Sequence, residues 1–161
     1  MRKILFVCSR NTCRSPMAVS ILKNILRKNN VDKKYSISSA GLNARVGEPM
    51  NEHAIKALKD NNVNVCKHTG EQISVQTIND NDLVITMTQE QQEFLSAFTN
   101  VYSLKQLTSV NDITDPYGED QSVYDEVCKD LIKSLNVLFN KLEEKELTLW
   151  YILQTTTVEL N

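Results

Sequence analysis

Apolar residues along this chain fall into short unbroken runs that alternate with stretches of helical spacing. The first run, Lys3 to Val7, is β-rich and does not alternate with polar residues, the pattern of a strand covered on both faces of a parallel sheet. It stops at the polar stretch Cys8-Ser9-Arg10-Asn11-Thr12-Cys13-Arg14-Ser15, after which Pro16 opens a helical pattern. Ala18, Ile21, Leu22, Ile25 and Leu26 share one helical face, with Ser15 expected as N-cap and Pro16 at the first helical position.

Tyr35 to Ser39 reads as a second strand, followed by a loop over 41–49 and a helix from about Met50 to Asp60. Leu83 to Met87 predicts a third buried strand, 89–98 a helix, and Val101 to Ser103 a short fourth strand. A long loop, 108–121, precedes a last helix with an apolar stripe at Val123, Val127, Leu131, Leu135, Leu138 and Leu142. Strands alternating with helices predict an α/β fold. The expectation is a single domain over 1–145, with a four-stranded parallel sheet flanked by helices on both faces. Residues 146–161 form a tail that can extend the last helix, add a strand, or contact another chain.

Composition narrows this picture without changing it. At 161 residues the chain has the length of one domain and needs neither disulfide nor structural metal to bury a core. Its charge, 18 − 20 = −2, is too balanced for a general nucleic-acid or anionic-membrane binder. Ile4 to Val7 is far too short for a membrane helix or a signal-peptide core, so a cytoplasmic location is expected. Cysteines 8, 13, 66 and 128 form no C-x-x-C and no zinc-spaced cluster with histidine; in a reducing compartment they are free thiols.

The candidate chemistry lies at the end of the first strand. A cysteine there, five intervening residues, an arginine and a helix start make an anion cradle, because loop N–H groups and the helix dipole converge on one point. The same field favours thiolate character in Cys8, making it a candidate nucleophile. The planar fork of Arg14 matches two phosphoryl oxygens, and phosphoryl transfer asks mainly for such positioning and electrostatics. A lone cysteine is more often a buried small hydrophobe; strand, C-x5-R, Ser15 and Pro16 together outweigh that reading. Ser15 can also hydrogen-bond the sulfur and ease its departure. Among Asp112, Asp115, Glu119 and Asp120 the residues alone do not choose a proton donor, and an aspartate before Pro116 is commonly a turn residue.

The segment Val7 to Ala18 resembles the signature of low-molecular-weight protein tyrosine phosphatases, especially their bacterial branch. Ser38-Ser39-Ala40-Gly41 resembles the family's second strand, Leu83 to Met87 its third, and Asp115-Pro116-Tyr117-Gly118 its acid loop. The resemblance implies that Cys8 attacks phosphorus, Arg14 binds the phosphoryl group, and Asp115 protonates the leaving group before water clears a phosphocysteine. It implies a substrate site made of Ser9, Arg10, Asn11, Thr12, Cys13, Ser15 and Tyr117, phosphorylated protein substrates, a monomer, and no metal or organic cofactor. Asn11 matches a loop asparagine that tolerates a left-handed backbone, and His68 a histidine of the supporting network. Cys13 matches a second cysteine that can form a reversible disulfide with the nucleophile. His53 reads as a surface residue, and Cys66 and Cys128 as packing residues.

Three positions depart from the pattern common in the family. Arg10 stands where glycine is usual and adds a cation at the rim. Thr12 matches the subgroup resembling protein arginine phosphatases, whereas many tyrosine-directed relatives carry isoleucine; Asn43 stands where relatives often place an aromatic wall, leaving Tyr117 as one aromatic flank. The family resemblance makes phosphotyrosine the leading substrate, and Thr12 makes phosphoarginine the alternative. An arsenate reductase lacks support because Cys66 and Cys128 are poorly placed as a redox pair. Arg14 with Asp115 argues against a phosphocysteine carrier of sugar transport, and the three residues intact together against a non-catalytic phosphoprotein-binding module.

Overall fold

The computed structural model describes residues 1–144. Strands β1 (Arg2–Cys8), β2 (Tyr35–Gly41), β3 (Leu83–Thr86) and β4 (Val101–Ser103) form one parallel sheet in the order β2-β1-β3-β4. Helices α1 (Arg14–Lys28), α2 (Glu52–Asp60), α3 (Val75–Asn79), α4 (Gln89–Phe94), α5 (Leu104–Thr108) and α6 (Gln121–Glu144) connect and cover it. A short 3-10 turn, Asp32–Lys34, leads into β2.

β1 is the hinge of the topology. The chain leaves it to one side for β2 and returns past it to β3, so the strand order reverses there, and in open α/β sheets the crevice beyond the strand ends at such a reversal is where ligands bind. Cys8 is the last residue of β1, in register with Gly41 of β2. The unbroken apolar run of β1 serves two cores. Ile4, Phe6 and Cys8 join the main cluster with α1, α2 and α6, while Leu5 and Val7 join a smaller cluster with Ile78, Val84, Leu95 and Val101 on the other face. Both faces of the sheet are therefore covered, as the sequence pattern predicts.

Several boundaries differ from expectation. The first helix starts at Arg14 with Cys13 as N-cap, and no side chain caps it. Ser15 is inside the first turn because its hydroxyl is committed to the preceding loop; Pro16, third in the helix, still occupies a position whose N–H would have no intrahelical acceptor. The second helix begins at Glu52, after Met50, because Asn51 caps it by accepting from the His53 N–H. Met87 lies just beyond β3. α4 ends at Phe94 rather than 98, where Leu95 leaves helical geometry and turns into the smaller core.

α3 and α5, five residues each, are too short to show a 3.6-residue period. Their caps were nonetheless written in the sequence: Ser74 accepts from Thr77 N–H, and Ser103 with Gln106 forms a capping box. In α6 the stripe from Val127 to Leu142 is buried as expected, but Val123 is only half-buried and the neighbouring Tyr124 takes the core position. The tail, residues 146–161, lies outside the described residues.

Candidate active site

Between β1 and α1 the loop of residues 9–13 is held from outside by its own carbonyls. Cys8 O accepts from Leu42 N–H at 2.9 Å, Ser9 O from Asn43 N–H at 2.8 Å, Thr12 O from Asn51 N–H at 2.9 Å, and Cys13 O from Met17 N–H at 3.0 Å. His68 donates Nε2–H to Asn11 O at 2.7 Å. With these carbonyls engaged by neighbouring segments, the loop N–H groups are left to serve an anion, as in an anion nest.

Asn11 makes this closure possible. Its φ of 61° is left-handed, a conformation asparagine tolerates better than most side chains. The fully buried side chain donates to Ser15 Oγ at 2.8 Å and Ser39 Oγ at 3.0 Å, and accepts from Glu71 N–H at 2.9 Å. Ser15 Oγ lies 2.9 Å from Cys8 Sγ. This oxygen accepts the Asn11 amide, and its own proton is free to be donated to the sulfur when that sulfur is a thiolate. Close approach of β2 completes the cradle: a Cβ on Gly41 would sit 2.8 Å from Ser9 O and 3.0 Å from Asn11 Cβ.

Arg14, 4% exposed, is the first helical residue of α1. It donates Nη1–H to Ile113 O at 3.1 Å, and Nη2 lies 3.4 Å from Asp115 Oδ2. The loop carrying Asp115 is tied to the sheet by Ile113 N–H donating to Met87 O at 3.1 Å. Asp115 itself is half-exposed, and its Oδ1 accepts from Tyr117 N–H at 3.1 Å. The turn role anticipated for an aspartate before proline is thus present together with the contact to Arg14. The guanidinium carbon of Arg10 is 4.0 Å from the centre of the exposed Tyr117 ring, within cation–π range.

A small pocket is lined by Cys8, Arg10, Thr12, Cys13, Arg14, Asp115 and Tyr117. Ser9 faces an adjoining, larger groove. The side chains of Asn11 and Ser15 are fully buried and brace the loop and the Cys8 sulfur. Cys13 follows in the same loop. Burial pushes its thiol pKa up, partly offset by hydrogen bonds with Thr12 and Tyr124, so it is a protonated thiol at neutral pH. Its Sγ lies 3.6 Å from Tyr124 Oη. Burial also pushes Cys128 up to about 11, its sulfur 3.7 Å from Ala57 O, consistent with packing. Cys66 is half-buried.

A family model described as low molecular weight phosphotyrosine protein phosphatase matches residues 3–148. The chain belongs to this family. It is a protein phosphatase of the low molecular weight type. The protein-arginine-phosphatase of Bacillus subtilis is 28% identical over 88% of this chain and 97% of its own length. The low molecular weight protein-tyrosine-phosphatase YfkJ of the same organism is 31% identical over 83% of this chain and 90% of its own. Among solved structures, the YwlE arginine phosphatase from Geobacillus stearothermophilus superposes with a TM-score of 0.79 at 30% identity, covering 91% of this chain and 96% of that one.

Several supporting residues of this phosphatase were not singled out from the sequence. Ser39 receives Asn11, the Ile113 carbonyl receives Arg14, and Gln91 Nε2 donates to Ser9 Oγ at 3.2 Å. Gln91 is recognisable only as the fourth residue of the Thr88 capping box. His53, a surface residue as expected, also packs its ring against Tyr124 with centroids 5.2 Å apart and meets Gln121 Oε1 at 2.7 Å.

Proposed function

We propose that this phosphatase hydrolyses phosphotyrosine in proteins through a phosphocysteine on Cys8. The observation carrying the reading is that Asp115, paired with Arg14, lines the same small pocket as Cys8. The thiolate of Cys8 attacks phosphorus, the phosphorus–oxygen bond breaks, and Asp115 gives its proton to the departing phenolate. Arg14 and the loop N–H groups hold the equatorial oxygens as charge redistributes. Water then attacks phosphorus, Asp115 takes its proton, the phosphorus–sulfur bond breaks, and the Ser15 hydroxyl steadies the sulfur as it leaves. The catalytic trio is Cys8, Arg14 and Asp115, with Arg10, Thr12, Cys13 and Tyr117 around the substrate. A nucleophile that must remain a free thiol suits a cytoplasmic setting.

Phosphoarginine is the second reading, favoured by Thr12 in the pocket lining and by the exposed Asn43, which supplies no aromatic wall. Here Asp115 would protonate a guanidinium nitrogen. The deciding experiment is kcat/KM on matched phosphotyrosine and phosphoarginine peptides, with Cys8→Ser as blank. Preference for phosphotyrosine upholds the first reading and assigns the flank to Tyr117. Preference for phosphoarginine replaces it and assigns specificity to Thr12. Phosphate released by Cys8→Ser at the wild-type rate refutes the mechanism.

A further inference from the structure

Beside the catalytic pocket, and sharing Arg14 and Asp115 with it, runs a groove of about 670 Å³. Its apolar surface is Leu42, Ile113 and Phe94, and Phe94 is 78% exposed at the end of α4. Its charged side chains beyond Arg14 are Glu90, Asp112 and Asp115, with no lysine. Asp112 receives the Gln89 N–H at 3.2 Å. None of the ion pairs among the described residues uses Glu90 or Asp112. Arg14 offsets Asp115, with which it is paired, and leaves Glu90 and Asp112 as the uncompensated charges of this face.

We infer that this groove receives the polypeptide flanking the phosphorylated residue of a substrate, and selects a basic side chain there. The inference rests on the phosphatase reading of the site and deepens it. The groove adjoins the pocket at Arg14 and Asp115, which line both, and so offers a path for a chain that presents its phosphoryl group to Cys8. A lysine or arginine has the two parts this groove calls for: an apolar stem to lie on Phe94 and Leu42, and a cation for Glu90 and Asp112. Arg10, over the Tyr117 ring, lines the small pocket and not the groove, so the cation-accepting surface is the one formed by Glu90 and Asp112.

The test uses a neutral phosphotyrosine peptide in which a single lysine, or a single glutamate, is walked along the positions on either side. Affinity is read on Cys8→Ser by fluorescence anisotropy and kcat/KM on the wild type, each at low and high salt. At the favoured position lysine is expected to improve both by about two- to fivefold over glutamate, the range of one exposed charge pair, with the gain fading in salt. Glu90→Lys should reverse the preference, and Phe94→Ser should weaken it, while both hydrolyse p-nitrophenyl phosphate as the wild type does. Equal affinities for lysine and glutamate at every position overturn the inference, as does a preference that survives Glu90→Lys. Self-association reversed by Phe94→Ser, without a lysine preference, overturns it in favour of a second copy of this chain. If the wild type releases no phosphate even from p-nitrophenyl phosphate, the phosphatase reading fails, and the affinities on Cys8→Ser still decide the groove.

Discussion

The hydroxyl of Ser15 lies 2.9 Å from the sulfur of Cys8 and is oriented by the amide of Asn11 on its other side. A hydroxyl so held donates to sulfur in whichever step the sulfur carries negative charge. Hydrogen bonds to charged groups contribute roughly 1.5–3 kcal/mol, which is about 10- to 100-fold in rate. Ser15→Ala is expected to slow release of the phosphorylated enzyme more than its formation. Rapid-quench kinetics on p-nitrophenyl phosphate should show a burst of p-nitrophenol followed by a slow steady state. A variant with no burst and wild-type turnover would confine Ser15 to filling space.

Asp115 is held by contacts of two kinds, the Arg14 guanidinium and the Tyr117 N–H. Its role as acid is separable from both by the leaving group. Asp115→Ala should lower kcat/KM, which reports the steps up to departure of the phenolate, by roughly 10²- to 10⁴-fold on phenyl phosphate, whose phenolate leaves poorly, and far less on p-nitrophenyl phosphate. Equal losses on the two substrates would make Asp115 a holder of Arg14 and of the turn.

How much of this was legible beforehand depends on range. The strand, the loop, Arg14 and the sheet class follow from contiguous residues, because a buried parallel strand and a helix start each leave a local pattern. Ser15 shows the limit: its sequence position fits a cap, and only the fold reveals that Asn11 and Cys8 claim its hydroxyl instead. Ser39, Ile113 and Gln91 reach the loop from 28, 99 and 82 positions away, and no local periodicity carries such pairings. Asp115 was distinguishable from its acidic neighbours only through family resemblance, since its pairing with Arg14 is likewise a product of topology.

Gly41 is a place where the fold leaves no room for a side chain. A methyl group there would meet Ser9 O at 2.8 Å and Ala44 Cβ and Asn11 Cβ at 3.0 Å, so β2 and the phosphate loop must part. Overpacking of this kind costs roughly 1–3 kcal/mol, or about 2–4 °C in Tm per kcal/mol at this chain size. Displacement of Asn11 should cost activity as well, approaching 10²-fold if reacting groups shift by about 1 Å. Thermal melts and kcat/KM of Gly41→Ala check both, and a stable, fully active variant would show that the loop yields freely.

His68 makes the stability of the cradle depend on pH. It donates Nε2–H to Asn11 O at 2.7 Å, and burial holds its pKa below the ordinary 6.5, opposed by the Asn11 hydrogen bond and by the charge of Glu71. In the window from 6.5 down to the folded value, the unfolded chain binds more protons than the folded one, so stability rises with pH there. The contribution is fully present above 6.5 and is lost as pH falls through the folded pKa. Tm should therefore climb between pH 5 and 7, about the ordinary histidine range. His68→Gln, which can still donate to Asn11 O but does not titrate, should flatten that climb without removing it, since carboxylates contribute their own acid sensitivity. An unchanged slope in His68→Gln would place the whole effect on the carboxylates and leave His68 as a hydrogen-bond donor alone.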